Sequence, residues 1–95
     1  MRHLIISSDI LEKLKDKHNV SRREVEQCFE NKVGRYVLDE REDHRTDPPT
    51  LWFVAPTNCE RLLKVIFVFA DGNIHIKSAF EPGESVIEMY DRLGR

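Results

Sequence analysis

The sequence has few of the features that mark secreted, metal-binding or membrane-spanning proteins. It contains two cysteines, Cys28 and Cys59, whose separation does not match the spacing of a metal site. No apolar run approaches the ~20 residues that a membrane-spanning helix needs. The apolar part of residues 1–8 is also too short for a signal peptide. These absences predict a cytoplasmic protein with no membrane contact, whose thiols are reduced and buried, although one disulfide stays open as an alternative.

Excess positive charge is missing as well. The chain has 15 Lys and Arg against 17 Asp and Glu, which gives a formal net charge of −2. Dedicated nucleic-acid binders are usually basic, because neutralising phosphates supplies most of their affinity. Any contact with RNA must therefore come from a local patch. The length of 95 residues predicts a single domain, residues 1–95, with a modest core.

The clearest local signal is a β-hairpin over residues 61–80 that turns at Asp71-Gly72. That dipeptide favours a two-residue turn, which needs a positive φ at both positions. Counting outward from the turn predicts the facing pairs Ala70–Asn73, Phe69–Ile74, Val68–His75, Phe67–Ile76 and Ile66–Lys77. Because successive side chains alternate, one face is predicted to form the core: Leu63, Val65, Phe67, Phe69, Ile74, Ile76 and Phe80. The opposite face is predicted to carry Lys64, Ile66, Val68, His75, Lys77 and Ala79.

The remaining pattern predicts the order β-α-α-β-β-β-β-α, an α+β domain with a small antiparallel sheet and its helices packed on one face. Ser7 or Ser8 is predicted to cap the first helix. Ser21 and Glu24 form a capping box for the second helix, whose buried stripe is predicted to end at Val33 before a C-terminal cap at Gly34. Pro82 suits the first position of the last helix, and Gly94 is predicted to end it.

Three segments in this order resemble the BrnT-like branch of the RelE/ParE toxin superfamily, small ribonuclease toxins of bacterial type II toxin–antitoxin pairs. They are Lys-His-Asn-Val-Ser-Arg-Arg-Glu-Val at 17–25, Asp43-His44 followed by Trp52, and the hairpin segments Arg61-Leu-Leu-Lys-Val and Ile76-Lys-Ser-Ala79. The resemblance implies a RelE/BrnT-like fold, a metal-independent endoribonuclease that inhibits translation, no cofactor, and a cognate antitoxin as partner, with a homodimer left open. Leu51 and Phe80 stand where relatives tend to have arginine. A label of ADP-ribosyl hydrolase is carried by some similar sequences, but such enzymes are larger and use a metal–carboxylate site.

The candidate catalytic residues are His44, His75 and Lys77, and the candidate RNA- or phosphate-binding residues are Lys64, Arg45 and Arg61. Cleavage of RNA without a metal needs a base, an acid and positive charge beside the phosphate. Histidine can transfer a proton near neutral pH, and lysines on one hairpin face could clamp a phosphate. No metal ligands are assigned.

Simpler interpretations exist for each of these residues. The hairpin residues are also explained as the solvent-exposed face of an antiparallel sheet. His44 and Arg45 fit an exposed polar loop, and Arg61 fits an ion pair with Glu60 or Glu81. The apolar residues Trp52, Ile66 and Val68 suggest a competing function, a non-catalytic module that binds a protein partner on the same scaffold.

Overall fold

The structure is a computed structural model that describes residues 1–40 and 46–94. Within these ranges, eight helices and strands follow the predicted order, and the α+β class is confirmed. They are β1 (Leu4–Ile5), α1 (Ser8–His18), α2 (Arg22–Asn31), β2 (Val37–Leu38), β3 (Thr50–Pro56), β4 (Leu62–Ala70), β5 (Asn73–Phe80) and α3 (Glu84–Leu93).

The five strands form one mixed sheet in the order β1-β5-β4-β3-β2. Strand β1 pairs with β5 in parallel, and the other neighbours are antiparallel. The prediction of a wholly antiparallel sheet is therefore wrong at one edge. A hairpin forces its two strands to run antiparallel, whereas β1 meets β5 only after the chain has passed through the rest of the fold, so no turn fixes its direction.

Local side-chain chemistry sets where the first two helices begin. The Ser7 hydroxyl accepts a hydrogen bond from the backbone N–H of Ile10, which confirms Ser7 as the first cap. The predicted capping box is also confirmed. The Ser21 N–H donates to the Glu24 carboxylate at 3.1 Å, and the Glu24 N–H donates to the Ser21 hydroxyl at 3.1 Å.

Three predicted helix details are wrong. Helix α2 ends at Asn31 with Lys32 as its C-cap, so Gly34 does not cap it and Val33 is 81% exposed instead of buried. Helix α3 begins at Glu84 after Gly83, which leaves Pro82 ahead of the helix. Gly34 instead lies against Tyr90 of α3, a tertiary contact that the sequence pattern of α2 does not reveal. The predicted end of α3 at Gly94 is confirmed.

Helices cover both faces of the sheet, so the prediction that all helices pack on one face is wrong. On the first face, Phe29 of α2 lies 4.7 Å from Phe53 and 5.5 Å from Phe67, measured between ring centroids. On the opposite face, the Tyr90 ring of α3 lies 5.8 Å from the Trp52 ring. Trp52 is only 5% exposed, because α3 covers an apolar stretch that would otherwise face water.

The turn of the β4–β5 hairpin has the predicted conformation. Asp71 and Gly72 have φ angles of 55° and 77°. The register agrees with the prediction from Ala70–Asn73 to Phe67–Ile76. Phe69, predicted in the core, lies near the tip of the hairpin and is 56% exposed.

Farther from the turn, the register shifts and Ile66 pairs with Ser78 rather than with Lys77. One extra residue in a strand turns every following side chain to the other face. Ala79 therefore lies in the core, opposite Val65, and Phe80 lies opposite Lys64. The predicted faces of Ala79 and Phe80 are thus exchanged. We call the sheet face that carries Lys64 the second face; its members are Trp52, Val54, Lys64, Ile66, Val68, His75, Ser78 and Phe80.

Candidate functional site

A cleft of about 440 Å³ opens on the second face, between α3 and strands β2 to β4. Trp52 and Lys64 contribute from the sheet, and Asp39 and Glu40 contribute from the segment after β2. The other lining residues are apolar: Val37, Leu38, Val86, Met89 and Leu93. The cleft thus combines one basic side chain and two acidic ones with largely apolar surroundings.

The ammonium group of Lys64 is placed over aromatic rings. Its Nζ lies 4.6 Å from the centroid of the Trp52 ring and 6.0 Å from that of Phe80. The electron-rich face of an aromatic ring attracts a cation at such distances. Lys64 is half-buried and pairs with Phe80 across β4 and β5, so strand pairing and ring contacts together define where its charge lies.

Asp39 and Glu40 are site residues that the sequence analysis did not propose. They belong to a run of acidic residues that reads as a solvated loop, but the first of them continues the pairing of β2, since the Asp39 N–H donates to the Thr50 carbonyl at 2.9 Å. Asp39 is only 8% exposed, whereas Glu40 is exposed. The sequence shows only that they follow a short predicted strand, and their place beside Lys64 depends on the pairing of that strand with β3 at Trp52.

The structure does not gather Lys64, His75 and Lys77 into one group. His75 is half-buried on the second face opposite Val68, which is four residues from Lys64 along β4. At ~3.3 Å per residue, the backbone positions of the two residues are roughly 13 Å apart, so they are not adjacent on this face. Lys77 is exposed and lies at the register shift, where it has no partner residue in β4 and the regular alternation of side chains between the two faces is interrupted. The catalytic roles of His75 and Lys77 stay predictions.

Arg61 connects three parts of the chain through its guanidinium. It donates to Glu81 at 2.7 Å, to Glu24 at 3.0 Å, and to the carbonyls of Asn19 at 2.7 Å and His18 at 2.8 Å. The hydrogen bond to Glu81, followed by that to Glu24, raises the pKa of the guanidinium above its usual value. The alternative of an ion pair with Glu81 is confirmed. Phosphate binding by Arg61 stays a prediction, and the guanidinium already donates four hydrogen bonds to protein groups.

His44 and Arg45 lie outside the described residues. Their predicted roles, in catalysis and in phosphate binding, stay predictions.

The two cysteines are both free in the structure and are not bonded to each other, unlike in the alternative of one disulfide. Cys28 is buried, and its thiol donates to the Ala55 carbonyl at 3.4 Å. Burial, assisted by the negative charge of Glu24, raises the pKa of the Cys28 thiol to about 12, so this thiol is a poor nucleophile. Cys59 is exposed, and the prediction of buried thiols is wrong for it.

Within residues 1–40 and 46–94, no three His, Cys, Asp or Glu residues come together in a way that could hold a metal ion. None of the helices there is both long enough and apolar enough to cross a membrane.

Comparison with known proteins gives no family assignment. No protein-family model matches the chain, and no curated protein matches it.

Proposed function

We propose that the chain is an RNA-cleaving toxin of the BrnT/RelE-like kind, neutralised by a cognate antitoxin, and that the cleft beside α3 is its active site. The observation that supports this proposal is the chemistry of the cleft. The acidic residues Asp39 and Glu40 and the ammonium of Lys64 line the same cavity.

These groups match the needs of RNA cleavage without a metal ion. A base removes the proton of a 2′-hydroxyl, whose oxygen then attacks the adjacent phosphorus and displaces the 5′-oxygen of the next nucleotide. Glu40 is the better base, because it is exposed whereas Asp39 is buried and already has an interaction partner. His44, four residues after Glu40 in the sequence, is the candidate acid for the departing 5′-oxygen.

Lys64 is assigned to stabilise the negative charge that develops on the phosphate oxygens. A positive charge fixed in advance is effective in such a role, since it needs no rearrangement as the reaction proceeds. The contact with Trp52 and the pairing with Phe80 supply that placement. The apolar residues that line the cleft lower the polarity around Lys64, and a charge acts more strongly in less polar surroundings.

Inducible expression in bacteria tests the proposal. The wild type is expected to arrest growth and fragment cellular RNA. Lys64→Ala and Glu40→Gln are expected to slow RNA cleavage by about 10²-fold or more, because each removes one charge from the reacting centre. Lys13→Ala and Glu12→Gln are matched controls, since both residues are exposed on α1, and these variants should act as the wild type does.

Normal growth and intact RNA during soluble expression of the wild type would contradict the proposal. That result would favour the second candidate function, a non-catalytic module that binds a protein partner. The observation behind this candidate is the exposure of apolar side chains in the lining of the cleft. Leu38, Met89 and Leu93 are 45%, 40% and 54% exposed.

A further inference from the structure

Rings and basic side chains alternate from the cleft towards the end of α1. The Lys64 ammonium lies 4.6 Å from the Trp52 ring centroid and 6.0 Å from that of Phe80. The ring centroid of Phe80 also lies 5.5 Å from that of the His18 imidazole. We call these four residues, Trp52, Lys64, Phe80 and His18, the ring–cation strip.

A recess of about 310 Å³ continues the strip beyond Phe80. It is lined by Lys17, His18, Arg61, Phe80 and Glu81. Glu81 is the single acidic residue among them, and it is paired with Arg61 at 2.7 Å. Lys17 is exposed at the end of α1 and adds a further positive charge.

Phe80 reaches this position because of the register shift in β5. Without the extra residue at Lys77, its ring would face the core, whereas the shifted strand turns it to the second face opposite Lys64. The ring stays partly exposed there, with the Lys64 ammonium 6.0 Å and the His18 ring centroid 5.5 Å from its own centroid. A phenyl ring in such surroundings offers an apolar face beside positive charge.

This combination matches single-stranded RNA better than it matches a protein partner. Bases stack on aromatic side chains while neighbouring phosphates contact basic groups, and each base has a flat face that suits the ring. The centre of a protein–protein interface is, by contrast, depleted of lysine and acidic residues.

We propose that the ring–cation strip binds single-stranded RNA next to the cleft, with one base stacked on Phe80 and the adjoining phosphates close to Lys64 and Lys17. The inference rests on the proposed function, since it names the path of the same substrate beyond the cleft. It assigns to Phe80 a binding role that does not depend on the chemical step.

Fluorescence anisotropy with a labelled 2′-O-methyl oligonucleotide tests the strip. Such an RNA binds but is not cleaved, because its 2′-oxygens carry no proton and cannot attack. Phe80→Leu is expected to weaken binding at least about fivefold, since it removes the stacking surface, whereas Phe80→Tyr should stay within about twofold of the wild type. Phe69→Leu is the matched control, because Phe69 is also an exposed phenylalanine but lies near the hairpin tip.

The proposal is overturned if the wild type does not bind, if Phe80→Leu binds as tightly as the wild type, or if Phe69→Leu weakens binding equally. Should Phe80→Leu melt at a lower temperature, the wild type is titrated with oligonucleotides that carry single abasic sites. A fivefold loss of affinity when one particular base is missing supports stacking on Phe80. Equal affinity wherever the abasic site is placed overturns the proposal.

A parallel cleavage assay with unmodified RNA separates the two proposals. Binding that depends on Phe80, without any cleavage, rejects the nuclease and retains the strip. Cleavage by the wild type, together with unchanged binding by Phe80→Leu, rejects the strip and retains the nuclease.

Discussion

At the scale of single residues, Arg61 joins three separate parts of the chain. Its guanidinium joins the carbonyls at the end of α1, Glu24 in the first turn of α2, and Glu81 just after β5. The last carbonyls of a helix lack partners within the helix, and a cation there also interacts favourably with the helix dipole. Arg61 is therefore a structural residue, whatever it contributes to RNA binding.

Replacing Arg61 with alanine is expected to lower the free energy of unfolding by about 1–3 kcal/mol, because several hydrogen bonds between charged and polar groups are lost together. Urea unfolding measures this change. Arg23→Ala is the control, since Arg23 is 65% exposed and its nearest carboxylate contacts are 3.6 and 3.9 Å. Arg23→Ala should lower the free energy of unfolding by less than about 0.5 kcal/mol. Equal losses in the two variants would show that Arg61 is an ordinary surface arginine.

At the scale of whole elements, the end of α3 is attached to the segment before β2 by a close contact between glycines and Tyr90. The Arg35 N–H donates to the Gly94 carbonyl at 2.6 Å, and the Tyr90 hydroxyl donates to the Arg35 carbonyl at 2.9 Å. A Cβ added at Gly34 would lie 2.5 Å from the Tyr90 hydroxyl oxygen and 2.6 Å from the Gly94 carbonyl oxygen. The position of α3, and with it one side of the cleft, depends on this contact.

Gly34→Ala is therefore expected to destabilise the protein by about 1–3 kcal/mol, because the added methyl group meets atoms that are held by hydrogen bonds. Thermal unfolding followed by circular dichroism provides the measurement. Gly83→Ala is the matched control, since a Cβ there meets nothing within 4 Å and φ is −77°. If Gly34→Ala destabilises the protein no more than Gly83→Ala does, the contact does not hold α3 in place.

Elements whose cause is local could be predicted from the sequence. The capping box of Ser21 and Glu24 and the turn at Asp71-Gly72 each depend on a few neighbouring residues, and both are found as predicted. The register shift at Lys77 was missed, because it depends on how β5 packs against β4 and the helices. Because of that one extra residue, Ala79 lies on the core face and Phe80 on the second face, the reverse of the prediction.

In the candidate site, too, features with a local cause could be predicted and those with a long-range cause could not. Lys64 was correctly placed on the face opposite the core, since its position follows from simple alternation along β4. The proximity of Asp39 and Glu40 to it could not be predicted, because it requires β2 to pair with β3 and α3 to cross the second face. Long-range placement of this kind leaves no signal in a single sequence.

At the scale of the whole molecule, the two faces of the sheet differ in what they contact. The first face is packed by α2 and contains the buried aromatic residues Phe53 and Phe67. The second face is covered by α3 beside Trp52, while Lys64, His75 and Phe80 farther across the sheet are only partly buried. We propose that the first face stabilises the fold and that the second face binds RNA.

Two-dimensional ¹H–¹⁵N NMR of the labelled protein, titrated with an uncleavable 2′-O-methyl RNA, tests that claim most directly. We expect the largest shift changes at the indole N–H of Trp52 and at the backbone amides of Lys64 and Phe80. The backbone amides of α2, such as that of Glu30, serve as the internal control, and their chemical shifts should not change. Shift changes centred on α2 or on the hairpin tip, or no changes at all, would contradict the claim that the second face is the RNA-binding surface.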